Sequence, residues 1–443
     1  YLYLVITRRK ISETNTKHFK SPNWIFLKNL QKQYRLFIIW IFTDPINEKE
    51  KPNNEIVIQT EKNLFILFGF FSLISLLIYF NAIFNIHVAR FISPLPIILL
   101  SFGMLLGAGN ILSLLSIKLQ INFHFLFIAA LIIIGYFAET HFIATQKLSD
   151  TSIDYSKRFT LREKFQQWTT THHEALNDPS IKTIPIYFVL ADGGASRSAY
   201  WTASVLSTLE EASNGKFSKY LFCLSGASGG SFGNMVFYGS LKRFKENRLS
   251  RIQSYLSADF LSFPLVRLLG PDLVIPFIPG IRAGDRARAL EISMEHIDHT
   301  DSVSLFMQED ISKVIFDKDD SFQPIIAINT TRMQDGVPGV ISNIRLENEI
   351  SGKRIDILRL LNKNESMRVS TAVVLGARFP YFSPAGRIKN QYFVDGGYFD
   401  NSGGGIVHEM ILDLQQEIQD SLRINPNHVF GKIRFHVLPV SYT

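Results

Sequence analysis

The sequence predicts an α/β fold: a mostly parallel sheet covered by helices, preceded by an α-helical membrane region. Three observations carry this. Long apolar runs without charge fill much of the first 150 residues. After about residue 180, short β-like runs alternate with helix-like stretches. Finally, β-like runs end in polar, glycine-rich turns: Ile184–Ala191 runs into Asp192-Gly193-Gly194-Ala195-Ser196-Arg197, Leu221–Ser225 into Gly226-Ala227-Ser228-Gly229-Gly230, and Gln391–Val394 into Asp395-Gly396-Gly397. Functional groups of α/β sheets collect at such strand ends.

Residues 1–63 read as a polar and interfacial region. Its apolar stretch Leu36–Phe42 is too short to cross a bilayer, although it could belong to a fourth, bent span. Residues 64–148 read as transmembrane helices in about three spans. Leu64–Phe84 is uncharged, and its roughly 21 residues at about 1.5 Å each match a bilayer core. Ile92–Ile117 is the second run, with Pro94 and Pro96 near its start; Ile121–Ala138 is the third, carrying Asn122 and His124. Buried core helices of a soluble protein normally show a polar face, which these lack. The runs are also too many, and too far from the start, for a secretory signal. Cationic residues flanking the spans tie between the two sides, so the positive-inside rule leaves orientation open. We take the protein as integral to the cell (inner) membrane, with the domain that follows the spans in the cytoplasm.

Residues 149–180 are polar and mixed, with Lys157, Arg158, Arg162 and Lys164 among Phe159, Phe165 and Trp168. They read as a juxtamembrane helix and linker. Residues 181–443 form the α/β domain. Strands are expected at Ile184–Ala191, Tyr220–Ser225, Pro324–Asn329, Val340–Ile344, Tyr392–Val394 and Ile433–Val440, with helices at Ser198–Ala212, Gly230–Phe244, Asp285–His296 and Val369–Ala377. The chain starts on Tyr1 and stops soon after an apolar run, so it reads as part of a longer protein.

Composition excludes several functions. A net charge of +7 spread over 443 residues, with no dense basic helix, gives no nucleic-acid signal. The single cysteine, Cys223, rules out an intramolecular disulfide and a Cys-based metal site. Asp317-Lys318-Asp319-Asp320 lacks the glycine and distal glutamate of a calcium loop. No metal and no cofactor is expected.

The chemistry follows from the turns. Ester hydrolysis needs a nucleophile, a base and donors for the oxyanion. Ser228 sits in a G-x-S-x-G frame, where Gly226 and Gly230 permit the tight turn that exposes a hydroxyl. That pattern alone arises by chance about one time in seven in a chain this long. Its neighbours add weight. Gly193, Gly194 and Ala195 lack bulk, so their amides can approach a substrate oxygen. Arg197 can meet a phosphate or order the loop, or form a surface salt bridge. Asp395 is the candidate base, a weak one that needs hydrogen-bond geometry and desolvation.

These ordered motifs resemble the patatin-like phospholipase family: a D-G-G-[GA]-x-R oxyanion loop at Asp192–Arg197, a G-x-S-x-G elbow at Gly226–Gly230 and a D-G-[GA] aspartate at Asp395–Gly397. Ser370–Ala372, Ala377–Pro384 and Tyr398–Gly403 are similar to the family's segments around that aspartate. Ala195 replaces a third glycine, and Ser198 stands where many members have glycine. The multi-span N-terminus is similar to a membrane-bound bacterial subgroup. The resemblance implies a patatin-like three-layer α/β domain and a Ser228–Asp395 dyad without histidine. It also implies metal-independent hydrolysis of acyl esters in membrane lipids, of phospholipase A or lysophospholipase type.

Two rival readings remain. An α/β-hydrolase triad would recruit His408, which follows Asp395 in chain order. A catalytically silent membrane scaffold would keep the fold without the chemistry. Apolar Phe260–Val266 and Val274–Pro279 could form a lid or lipid-facing wall, or ordinary core.

Overall fold

The computed structural model describes residues 55–137, 143–147, 153–244, 246–273, 285–297, 302–316, 322–347 and 353–442. They fall into two compact units, one formed by 55–137 with 269–273 and one by the remainder. Leu36–Phe42, Val274–Pro279 and Asp317–Asp320 lie outside the described residues.

The first unit is helical: α1 (Glu55–Phe84), α2 (Ile86–Ile92), α3 (Pro94–Leu119) and α4 (Phe123–Phe137). Asn85 caps α2 by accepting from the amides of His87 and Val88, and prolines at the start of α3 suit its first turn. Among the described residues, two segments are long and apolar enough to cross a membrane, Ile66–Phe84 of α1 and Pro94–Ile117 of α3. The third expected span is a shorter helix. The 15 residues of α4 reach only about 22 Å at 1.5 Å per residue, less than a bilayer core.

The second unit is an α/β/α sandwich. Its main sheet has the order β10-β2-β3-β4-β5-β6, built from β2 (Ile184–Ala191), β3 (Leu221–Ala227), β4 (Ile325–Arg332), β5 (Pro338–Ser342), β6 (Ile355–Asp356) and β10 (Ile433–Val440). A small two-stranded sheet pairs β1 (Thr145–Lys147) with β7 (Glu365–Met367). Strands β10, β2, β3 and β4 run parallel, while β5 is antiparallel to β4. A hairpin of β8 (Gly386–Ile388) and β9 (Gln391–Asp395) joins through β9, antiparallel to β4.

Strand residues divide between two cores. Val189, Leu224, Ile326 and Ile328 pack with α6 (Ala195–Ala212), α7 (Ser228–Arg243) and α9 (Val369–Leu375). Ile186, Phe188, Phe222, Ile325 and Ala327 pack with α5 (Leu161–Thr171) and α10 (Gly404–Ile424). Both faces of β3 are covered, which is why every residue in it is buried. Cys223 is fully buried within it.

Residues 153–180 differ from the linker expectation. Thr160 and Glu163 form a capping box that starts α5, and Leu161, Phe165 and Trp168 of α5 are fully buried against the sheet. Arg158 is buried too; it pairs with Asp356 at 2.6 Å and donates to the carbonyls of Ser342 and Ile344. The stretch looked exposed because its charges are frequent, but its apolar residues at helical spacing make one core-facing stripe. Phe260 and the helix Ser262–Leu268 are likewise mostly buried, as core rather than as an open lid.

Candidate active site

Strand register explains how distant residues meet. Ala227 of β3 lies opposite Asn329 of β4. The next residue, Thr330, lies opposite Asp395 of β9. Thr330 also pairs with Gly339 of β5, so β9 must occupy the other edge of β4, the one that β3 vacates after Ala227. Ser228 leaves that edge where Asp395 arrives. The Ser228 hydroxyl faces the Asp395 carboxylate closely enough to lower its proton affinity. The Gly397 amide donates to the same carboxylate at 2.8 Å.

Ser228 opens α7 with φ +50, in the left-handed region. A non-glycine residue there is strained, and such strain is a mark of the nucleophile elbow. Glycine is needed on its far side for close approach. A Cβ on Gly229 would collide with the Ala195 carbonyl, and one on Gly230 with the Ala191 carbonyl. The start of α7 therefore lies against the loop between β2 and α6. Beneath the elbow, Asn329 donates to the Gly226 carbonyl at 2.8 Å and Asn234 to the Ser225 carbonyl at 2.9 Å. Ser225 donates to the Gly403 carbonyl at 2.7 Å. Gly403, at φ +70, has no room for a side chain against Ser225 and Asn329.

Asp395 is buried. Burial holds its carboxyl above the usual aspartate range, against the lowering effect of the Ser228 hydroxyl and the Gly397 amide. A raised proton affinity is what an aspartate needs to act as a base. Its backbone is fixed as well, since the Asp395 amide donates to the Arg378 carbonyl at 3.0 Å.

The expected oxyanion loop is placed beside the nucleophile, with one correction. A Cβ built on Gly193 would stand 3.2 Å from the Ser228 Cβ, but the Gly193 amide donates to the Asn401 carbonyl at 2.8 Å. It is therefore committed to the fold rather than to a substrate. Gly194 and Ala195 open α6, where helix amides lack intrahelical partners. Gly229, at the start of α7, offers a third such amide. Sequence reasoning missed Gly229 as a donor, although its place directly after the serine was the available signal. It also missed Asn401, whose side-chain amide donates to the Gly193 carbonyl at 3.4 Å and so ties the glycine loop to the turn after Asp395. Two helix N-termini thus converge near Ser228, favouring negative charge there.

Ser198 donates to the Asp192 carbonyl, so the departure from glycine closes the loop on itself. Arg197 is exposed in the first turn of α6 and forms no ion pair among the described residues; the salt-bridge option has no partner there. His408 is exposed on α10. No cluster of metal-ligating side chains occurs among the described residues.

No protein-family model matches the chain, and no curated protein matches it.

Proposed function

We propose that the α/β unit is a serine acyl hydrolase of patatin-like phospholipase type, acting on membrane lipid esters through a Ser228–Asp395 dyad. The observation that carries this is the closeness of a strained elbow serine to a buried aspartate of raised proton affinity.

Asp395 takes the hydroxyl proton as Ser228 Oγ attacks the ester carbonyl. Negative charge develops on the carbonyl oxygen, which the amides of Gly194, Ala195 and Gly229 receive. As the tetrahedral adduct collapses, Asp395 returns the proton to the leaving alcohol and an acyl-enzyme remains. A water then loses a proton to Asp395 and attacks the acyl carbon. Collapse of the second adduct frees the fatty acid and re-protonates Ser228. Arg197, exposed beside the loop, suits the phosphate of a phospholipid headgroup.

The membrane reading rests on the two apolar helices, which anchor the unit where its substrates lie. The triad reading is less favoured, because the carboxylate that would orient an imidazole faces the serine hydroxyl instead, while His408 faces solvent. The test is turnover of defined phospholipids and neutral glycerides by the wild type and Ser228→Ala, with products identified by mass. Free fatty acid from the wild type alone supports the proposal. Equal release from both defeats it.

A further inference from the structure

The turn before the base and the turn after it both present aromatic rings to solvent. Phe379 is 56% exposed, Tyr381 96%, Tyr398 53% and Phe399 52%. Scattered exposed apolar residues need no explanation, but contiguous ones do. Two of these four touch, and the other two lie within two residues of them in the chain. The rings of Phe379 and Tyr398 lie 5.7 Å apart, and Phe399 follows Tyr398 in the chain. The Ser383 amide closes the first turn on the Phe379 carbonyl at 2.8 Å, and Arg286 donates to the carbonyls of Tyr381 and Phe382.

The patch adjoins the dyad. Its first ring belongs to the residue after Arg378, whose carbonyl holds the Asp395 amide. Its second pair follows Gly397, whose amide holds the Asp395 carboxylate. Tyr381 keeps a left-handed backbone, φ +68, while showing nearly its whole ring to solvent. Residues 376–388 carry Arg378 and Arg387 and no acid, and residues 396–399 carry no charge. Exposed tyrosine and phenylalanine rings beside the half-buried cations Arg286 and Arg387 have the composition of a membrane-interface contact, and Asp400 after Phe399 is engaged by the amides of Ser402, Gly403 and Gly405. The apolar helices end at Phe137, and Ile143 already packs against the α/β core.

We propose that Phe379, Tyr381, Tyr398 and Phe399 dock into the headgroup layer of an anionic phospholipid bilayer, seating the Ser228–Asp395 site on the lipid surface. This deepens the lipid-hydrolase reading and rests on it, but its test does not depend on catalysis.

The experiment uses the full chain, in a Ser228→Ala background, reconstituted into nanodiscs of phosphatidylcholine with or without phosphatidylglycerol. One variant adds Tyr381→Trp. A control adds Ile424→Trp, exposed at the far end of α10, about 30 Å along the helix from its start. Each is compared with the parent, which contributes the emission of the four native tryptophans. In lipids with brominated acyl chains, the emission added at 381 should fall at least twofold, more strongly with phosphatidylglycerol present, while that added at 424 is unchanged. Unquenched emission at 381, or equal quenching at both positions, overturns the proposal. Quenching confined to 381 together with failed lipid turnover by the wild type would instead defeat the hydrolase reading and leave the docking surface standing.

Discussion

Gly229 lies against Ala195 so closely that any side chain on the glycine would overlap the alanine carbonyl. This one approach fixes the elbow to the oxyanion loop. Backbone cannot move aside as a flexible side chain can, so Gly229→Ala should destabilise the α/β unit by about 1–3 kcal/mol and abolish ester hydrolysis. Thermal unfolding and ester turnover measure both. An unchanged midpoint with normal turnover would contradict the geometry.

Ala195 itself has φ +54. A left-handed residue with a Cβ costs about 1–2 kcal/mol, whereas glycine there costs unfolded-chain entropy of about 0.5–1 kcal/mol. Ala195→Gly should therefore be neutral or stabilising by up to ~1 kcal/mol, with hydrolysis retained. Elsewhere in a helix the same change loses ~1 kcal/mol. Thermal unfolding distinguishes the cases.

Burial raises the proton affinity of Asp395 in the fold. The folded state therefore binds its proton more tightly than the unfolded chain does. The stability linked to that proton is fully present below the ordinary aspartate value and is lost as pH rises through the raised one. At neutral pH the ionised carboxylate is a cost. Asp395→Asn should raise the unfolding midpoint at pH 7, show less of this gain in acid, and lose hydrolysis by at least a hundredfold. The kcat/KM profile of the wild type should have an acidic limb centred above about 3.9, the ordinary aspartate value.

Asn401 and His408 separate the dyad from a triad. Asn401→Ala removes the side-chain bond to the Gly193 carbonyl while keeping the backbone bond from the Gly193 amide, and should lower kcat with little change in stability. His408→Ala should leave turnover near normal, since that imidazole is exposed. A loss of several thousandfold in the folded His408 variant would favour the triad.

Arg158 pairs with Asp356, both side chains being almost completely buried. Removing one partner strands the other, so Asp356→Ala should destabilise by about 3–5 kcal/mol, measured by denaturant unfolding. A surface-like effect under 1 kcal/mol would contradict the burial.

The sheet and its strand-end turns were legible because period and punctuation are local. Strand β3 ends at Ala227, two residues past its expected end, and β10 keeps its expected bounds, Ile433–Val440. Helix starts were less legible. Helix α6 begins at Ala195 and α7 at Ser228, three and two residues earlier than expected, because tertiary contacts hold left-handed residues inside the first turns. The pairing of β9 with the edge of β4 that β3 vacates is non-local, and no sequence pattern announces it. The use of the Gly193 amide was hidden for the same reason: its partner, Asn401, belongs to a turn far along the chain. The burial of Arg158 was not legible, because a charge that finds a buried partner looks, in sequence, like any solvated one.

The most direct measurement is peptide mapping by mass after exposure of the folded chain to a fluorophosphonate. The account predicts one adduct, on Ser228, absent in Ser228→Ala, strongly slowed in Asp395→Asn and retained in His408→Ala. Absence of that adduct in the folded wild type, or labelling that survives Ser228→Ala undiminished, would contradict it.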